Sequence, residues 1–359
     1  MSAWDEYPQD YRLSQVQAIL SAVQAGESAA LVGLSGSGKS NLLGYLAHRW
    51  GQAGSRPRLV LVDCNRLAEA SAEGFFRLVR AALGDQGAAV DELGALEAAL
   101  ARQLAEASPL GLLLDRFDAL AGRKDAAIYS NLRALRDTHK YELAYVIATR
   151  HPLDPHNELA ELFFAHTIWL GPLNESDIVW NVQRYAARKA LTWDSSVTLQ
   201  IAALSGGYPA FLRAVCEAHA LGCPLRPADL RQHPAVQRRL DEFWADQPQA
   251  ATLRLCGLND NPLLSASRAP GQIDTTQLTA KEHALWEYMK AHPGQVCEKD
   301  DLIRAVWPED RIFERGIRDD SLAQLVRRLR EKVEPDPSNP RLIQTVAGRG
   351  YRFFPENTS

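Results

Sequence analysis

Residues 33–40 read Gly-Leu-Ser-Gly-Ser-Gly-Lys-Ser: a glycine, four residues, then Gly38, Lys39 and Ser40. That spacing suits a triphosphate. The glycines permit backbone angles that turn successive N–H groups inward around an anion, and a following helix adds the positive end of its dipole. Gly33, Gly36, Ser37, Gly38, Lys39, Ser40 and Asn41 are therefore the expected nucleotide-binding residues. Lys39 is expected to reach the β- and γ-phosphates, and Ser40 to ligate Mg²⁺. Phosphoryl transfer also needs a carboxylate at the end of a neighbouring strand. "LGLLLDRFDAL" offers Asp115 as that second metal ligand. Three residues on, Asp118 either polarises an attacking water or caps a helix. "YVIATRHP" brings Thr149 and Arg150 to the same sheet edge, where Arg150 either contacts the γ-phosphate or forms a surface salt bridge.

Such a loop needs a buried strand before it and a helix after it. Apolar runs at 29–34, 58–63, 110–115, 143–149 and 166–171 are nearly continuous, as in strands covered on both faces of a parallel sheet. Longer segments with helical periodicity lie between them, including an Ala/Leu-rich stretch at 86–108 that reads as an amphipathic helix pair. The alternation indicates an α/β doubly wound domain. From 173 to 248 the pattern is helical, with Asn, Asp or Ser in capping positions. In "LSGGYPAFL", Gly206 and Gly207 end one helix and Pro209 suits the first turn of the next. Residues 257–275 are rich in Asn, Pro, Ser and Gly, the composition of a linker. The expected organisation is a phosphate-loop domain over 1–172, a helical lid over 173–256, a linker over 257–275 and a separate domain over 276–359.

The last of these has its own pattern. Thr279 and Glu282 form a capping box before Leu285, Trp286 and Met289. Pro293 and Gly294 break the chain, and Leu302, Ile303, Val306 and Trp307 mark a second helix. A third helix over about 319–333 turns its leucines to one face. "RLIQTVAGRGYRFF" then reads as two strands whose turn projects Arg349. Three helices and a hairpin make a winged helix, with the third helix in the major groove and the hairpin tip at phosphate or the minor groove. The expected DNA contacts are Ser321, Gln324, Arg327, Arg328 and Arg349. Basic and acidic residues balance over 276–359, but 341–352 holds Arg341, Arg349 and Arg352 and no acid. The basicity is local, as a docking face requires.

The 359-residue chain is long enough for two or three domains, and its net charge of -4 excludes a general polycation. Five scattered cysteines suggest free thiols rather than a disulfide framework or a zinc site. The polar N-terminus is no signal peptide, and no apolar run is long enough to cross a bilayer. A cytoplasmic protein without membrane partners is expected.

Taken together, "GLSGSGKSN", "LLLDRFD", "ATRHP" and "GGYPAFL" resemble the STAND branch of the AAA+ ATPases over roughly the first 250 residues. The resemblance implies a P-loop NTPase sheet with a helical lid. It also implies that Arg150 contacts the γ-phosphate, that Pro209 packs against the nucleotide and that Tyr11 and Arg12 line the adenine pocket. Arg116 stands where the family commonly has an acid, which implies slow hydrolysis. "LTAKEHALW", "HPGQV", "LIRAVW" and "LVRRLREKVEPDPSNPRLIQTVAGRGYRF" resemble the OmpR/PhoB-type winged helix. That resemblance implies a recognition helix over 319–333 and a wing over 347–350, with Asp320 where response regulators often carry an arginine. The combination implies a nucleotide-switched DNA-binding transcriptional regulator. Its cofactors are ATP/ADP and Mg²⁺, and its partners are double-stranded DNA and, in one nucleotide state, a second copy of itself. Two alternatives stay open. One is an ATP-hydrolysing enzyme in a DNA transaction or defence signalling, tethered by the winged helix. The other is a nucleotide-binding protein-interaction scaffold.

Overall fold

The computed structural model describes residues 4–52, 54–67, 71–121, 126–264, 278–307, 319–334, 340–346 and 348–354. The chain divides into two compact units, Met1–Ala266 and Ser267–Ser359.

The first unit is built on a parallel sheet of β1 (Ala29–Val32), β2 (Arg58–Asp63), β3 (Leu110–Asp115), β4 (Leu143–Thr149) and β5 (Thr167–Trp169). The spatial order is β2-β3-β4-β1-β5. β1 runs between β4 and β5, with Val32 opposite Thr149 and Trp169. β1, β3 and β4 are buried at every residue, which is why their sequences are apolar without alternation. The parallel register brings the C-terminal ends of β1, β3 and β4 to one edge, where the loops after them converge. Around the sheet lie α1 (Leu13–Gln24), α2 (Lys39–Trp50), α3 (Ala72–Ala82), α4 (Glu92–Glu106), α5 (Asp118–Ala121) and α6 (Ala126–Thr138). The expected helix pair over 86–108 is a single helix, α4, because Asp91 accepts from the Gly94 N–H at 3.0 Å and starts the helix there.

Six helices follow: α7 (Glu175–Arg188), α8 (Ser195–Ser205), α9 (Pro209–Ala220), α10 (Pro227–Gln232), α11 (Pro234–Trp244) and α12 (Ala250–Leu255). Asn174 and Asp194 cap α7 and α8 through the N–H groups of Asp177 and Val197. These helices share one hydrophobic core with the sheet face carrying Leu31 and Leu113, through Tyr208, Phe211 and Phe243. The expected division at 172 is thus a change of secondary structure within a continuous core. The linker expectation fails at its start. Leu258, Leu263 and Leu264 are buried in that core, and Asn261 donates to the Ser205 carbonyl at 2.8 Å. Polar composition misled there because Asn261 spends its amide on a helix terminus. Residues 265–277 lie outside the described residues.

The second unit contains α13 (Ala280–Ala291), β6 (Val296–Glu298), α14 (Lys299–Val306), α15 (Asp319–Val333), β7 (Ile343–Val346) and β8 (Gly350–Phe353). The Thr279/Glu282 capping box is present. β6, which the sequence reading did not anticipate, pairs antiparallel with β8, giving the order β6-β8-β7. Its three residues follow a Pro-Gly break and are too short to show alternation. Buried Glu334 accepts from the N–H groups of Arg341, Leu342 and Ile343 at 2.8, 3.0 and 2.6 Å and so fixes the start of β7. At Gly350 an added Cβ meets the Cys297 carbonyl oxygen at 2.1 Å. Replacing Gly350 by alanine must therefore push β8 off β6. Urea unfolding of the full chain is expected to show a loss of about 1–3 kcal/mol, the usual cost of overpacking.

Candidate nucleotide-binding site

The phosphate loop leaves the end of β1 and opens α2. Its conformation follows from where its carbonyls go. Lys39 Nζ donates to the oxygen of Gly33 and, at 3.3 Å, to that of Leu34. The Tyr208 hydroxyl serves Leu34 and Ser35 at 3.1 and 2.8 Å. The Gly36 oxygen accepts from the Ala210 N–H at 3.1 Å, and the Gly38 oxygen from Leu42 within α2 at 2.9 Å. Arg12 Nη2 takes the Ser37 oxygen at 2.9 Å and that of Gly171 at 3.0 Å. Three of these donors, Arg12, Tyr208 and Ala210, come from outside the loop and its helix. Gly36 has φ +83, and a Cβ there would meet the Ala210 Cβ at 2.3 Å. The lid backbone therefore lies directly against the loop.

A cleft of about 1250 Å³ opens over this loop. Of the expected residues, Tyr11, Gly36, Gly38, Lys39, Ser40, Asn41, Asp118, Arg150 and Pro209 line it. Gly33, Ser37 and Asp115 are buried and do not line it. Arg12 also departs from its expected place. Its guanidinium is buried beneath the loop, and its N–H donates to Asp177 at 3.0 Å. It holds the cradle's shape from behind. Tyr11 is held by Asn41, which donates to its hydroxyl at 3.0 Å and accepts from Tyr7 at 2.9 Å. Trp4 and Tyr7 join this wall, and the Arg184 guanidinium lies 4.7 Å from the Tyr7 ring centre. Neither Trp4 nor Tyr7 carries a spacing signal, so sequence reasoning missed them.

At the metal position Ser40 lies close enough to the Asp115 carboxylate to favour its ionised form. Burial raises the Asp115 pKa above the ordinary carboxylate value, against the lowering effects of Ser40 and Arg116. Burial likewise lowers the Lys39 pKa, opposed by the charges of Asp118, Asp246 and Asp115. A hard-oxygen pair of this kind suits Mg²⁺, whose remaining ligands come from phosphate and water. Among the described residues no group of three or more His, Cys, Asp or Glu side chains forms an all-protein metal site.

Asp118 begins α5 and accepts from the Arg150 N–H at 3.1 and 3.0 Å, so it anchors the end of β4. Arg150 Nη1 reaches Asp246 at 3.1 Å. The Asp246 carboxylate also accepts from the Ser35 N–H at 2.6 Å and its hydroxyl at 3.0 Å. Asp246 lies just past α11, 211 residues from Ser35, and no local pattern marks it.

In the second unit, Ser321, Gln324, Arg327 and Arg328 lie on the exposed face of α15, opposite buried Leu322, Leu325, Val326 and Leu329. Arg327 pairs with Glu331 at 3.2 Å along the helix. Arg349 is exposed at the hairpin but donates from Nε to Glu298 at 3.0 Å. The side chain of Asp320 and residue 347 lie outside the described residues.

Residues 23–154 match the AAA domain family, and residues 274–353 match the family described as transcriptional regulatory protein, C terminal. The chain joins an AAA domain to an OmpR/PhoB-type winged helix. Its curated relatives include the transcriptional regulatory protein AfsQ1 of Streptomyces coelicolor, 42% identical over 79 residues, which are 22% of this chain and 33% of that one. Protein PetR of Rhodobacter capsulatus is 38% identical over 136 residues, covering 37% of this chain and 55% of that one. The chain thus spans about a third to a half of these two relatives. Among solved structures, the Walker-type ATPase paby2304 of Pyrococcus abyssi matches at 15% identity and TM-score 0.44, covering 98% of this chain and 96% of that one. The Aeropyrum pernix ORC2 protein matches at 13% identity and TM-score 0.47, covering 96% and 90%. Both scores are too low to add to the assignment.

Two outcomes follow. Replacing Arg12 by methionine removes the donor to the buried Ser37 carbonyl and to the half-buried Gly171 carbonyl. It is expected to cost about 2–3 kcal/mol in urea unfolding and to weaken Mg–nucleotide binding in calorimetry, although Arg12 does not line the cleft. Asp115→Asn has the opposite sign for stability. A raised folded pKa means that the unfolded carboxyl ionises first, so Asp115 costs stability as pH rises from its ordinary value through the raised one. Without Mg²⁺ at neutral pH the variant is therefore expected to melt higher than the wild type. The difference is expected to shrink below pH 4, and Mg²⁺-dependent nucleotide affinity is expected to fall.

Proposed function

We propose that this chain is a nucleotide-switched DNA-binding transcriptional regulator. One observation carries the reading: lid groups Tyr208, Ala210 and Asp246 hold the phosphate loop itself, in a chain that also carries a winged helix. A loop held by its lid cannot accept a further phosphate without the lid responding. Lys39 and the loop N–H groups bind the phosphates of ATP or ADP. Ser40 and Asp115 hold Mg²⁺, which neutralises phosphate charge. Pro209 and the wall containing Tyr11 flank the nucleotide, and Arg150 turns from Asp246 to the γ-phosphate. Arg116 lines the cleft beside Asp115 and adds positive charge there, in keeping with slow hydrolysis. The lid's response changes self-association, and pairing two winged helices joins two weak half-sites into one strong one.

On the DNA, Ser321, Gln324, Arg327 and Arg328 face the major groove, and Arg349 leaves Glu298 for phosphate. Among the described residues no helix is long and apolar enough to cross a membrane. The site of action is the cytoplasm.

Selection from random duplexes, with ADP and separately with a non-hydrolysable ATP analogue, tests the reading. One enriched sequence, bound with different affinity in the two states, is expected. Replacing Arg327 or Arg349 by alanine is expected to reduce the salt slope of binding by about one each. Absence of enrichment in both states would move the winged helix to a protein-contact role.

A further inference from the structure

The position of Asp246 has a chemical consequence. Its carboxylate is 1% exposed and touches three donors: the Ser35 N–H at 2.6 Å, the Ser35 hydroxyl at 3.0 Å and Arg150 Nη1 at 3.1 Å. It is also near enough to Lys39 to raise that residue's pKa against burial. A phosphate loop presents such N–H and guanidinium donors to phosphate oxygen. Here an anion from the lid takes them. Other loop N–H groups are engaged within the unit: Gly33 donates to Thr149 and Ser37 to Leu34, both at 3.1 Å. Ser35, Arg150 and Asp246 all line the cleft, so an anion bound there would compete with Asp246 for these donors.

The backbone is set to deliver this carboxylate. α11 ends at Trp244, the Asp246 N–H closes on the Phe243 carbonyl at 3.3 Å, and Gln247 adopts φ +46. That left-handed conformation is uncommon for a residue with a side chain and costs energy. It turns the chain immediately after Asp246. Phe243, three residues earlier, packs against Tyr208 and Phe211 at 5.7 and 5.5 Å between ring centres. Phe243 thus seats the last turn of α11 in the core, and Asp246 follows it by three residues.

We propose that Asp246 sets the preference between a nucleoside diphosphate and a nucleoside triphosphate, by holding from the lid the donors that a γ-phosphate needs. The proposal rests on the nucleotide reading of the phosphate loop. With a diphosphate, Asp246 keeps Ser35 and Arg150, and the lid stays latched. With a triphosphate, Arg150 and Ser35 exchange a carboxylate for a phosphate, and like charges drive Asp246 out. Linkage then requires that whatever holds the lid down weakens triphosphate binding by the same factor.

Calorimetric titration of the full chain with Mg–ADP and with a non-hydrolysable Mg–ATP analogue tests this. The wild type is expected to bind ADP more tightly than the analogue. Asp246→Asn, which keeps shape and removes charge, is expected to raise the ratio of analogue to ADP affinity by about tenfold. Asp246→Glu, which restores the charge, is expected to return towards the wild-type ratio. Equal affinity of the wild type for both nucleotides overturns the proposal, whatever the variants do. So does a variant that moves both affinities together, since a merely structural role acts that way. Failure of the wild type to bind either nucleotide overturns the nucleotide reading itself, and Lys39→Ala supplies the matching control for specific binding.

Discussion

The unit that holds the phosphate loop depends on one constraint: a loop that points its N–H groups at an anion must dispose of its carbonyls elsewhere. In this chain Arg12, Lys39, Tyr208, Ala210 and Leu42 receive them. Two of these donors stand on or beside the first turn of α9, and another stands ahead of α1. The loop's shape is thus held jointly by the N-terminal segment and the lid. Buried, charge-assisted bonds such as those of Arg12 are strong because no water replaces them. This explains why sheet and lid share one core. It also gives a physical route from phosphate to lid, because a change in the loop is felt by the groups that hold it.

The charges around the loop are arranged at a cost to the folded chain. Burial disfavours both the ionised Asp115 and the protonated Lys39, and each is partly offset by neighbours of opposite character. A metal ion and a phosphate bound at these groups would relieve both costs. Asp118 and Asp246 divide Arg150 between strand end and lid. Arg150 is half-exposed and can exchange partners. Its two present carboxylates are anchored by the Arg150 N–H just past β4 and by Ser35. The second unit shows a parallel economy. Glu334 fixes the hairpin start through three N–H groups, while Arg349 rests on Glu298.

Much of this was legible from local pattern. Uninterrupted apolar runs marked all five parallel strands; β1, β3 and β4 show no alternation because both faces are buried, whereas β2 and edge strand β5 are partly exposed. Glycine spacing marked the phosphate loop, and the Thr279/Glu282 pair marked the start of α13. What stayed hidden depends on distance in sequence or on context. Asp246 reads as a residue after a helix, and its partner lies 211 positions away. Tyr208 reads as part of a corner, yet its hydroxyl serves the loop. Arg12 was placed in the adenine pocket, whereas its left-handed backbone sends the guanidinium under the loop. Asn261 looked like linker because composition does not reveal that a polar side chain caps a buried helix end. β6 is defined by its pairing with β8 rather than by its own residues.

Hydrogen–deuterium exchange of the full chain, with Mg–ADP and with a non-hydrolysable Mg–ATP analogue, tests the central claim most directly. If the lid holds the phosphate loop and reads the terminal phosphate, amides at 241–249 exchange faster with the analogue than with ADP. Amides at 33–40 stay protected with both nucleotides. Identical exchange at 241–249 in the two states, with both nucleotides bound, would contradict the coupling of loop to lid.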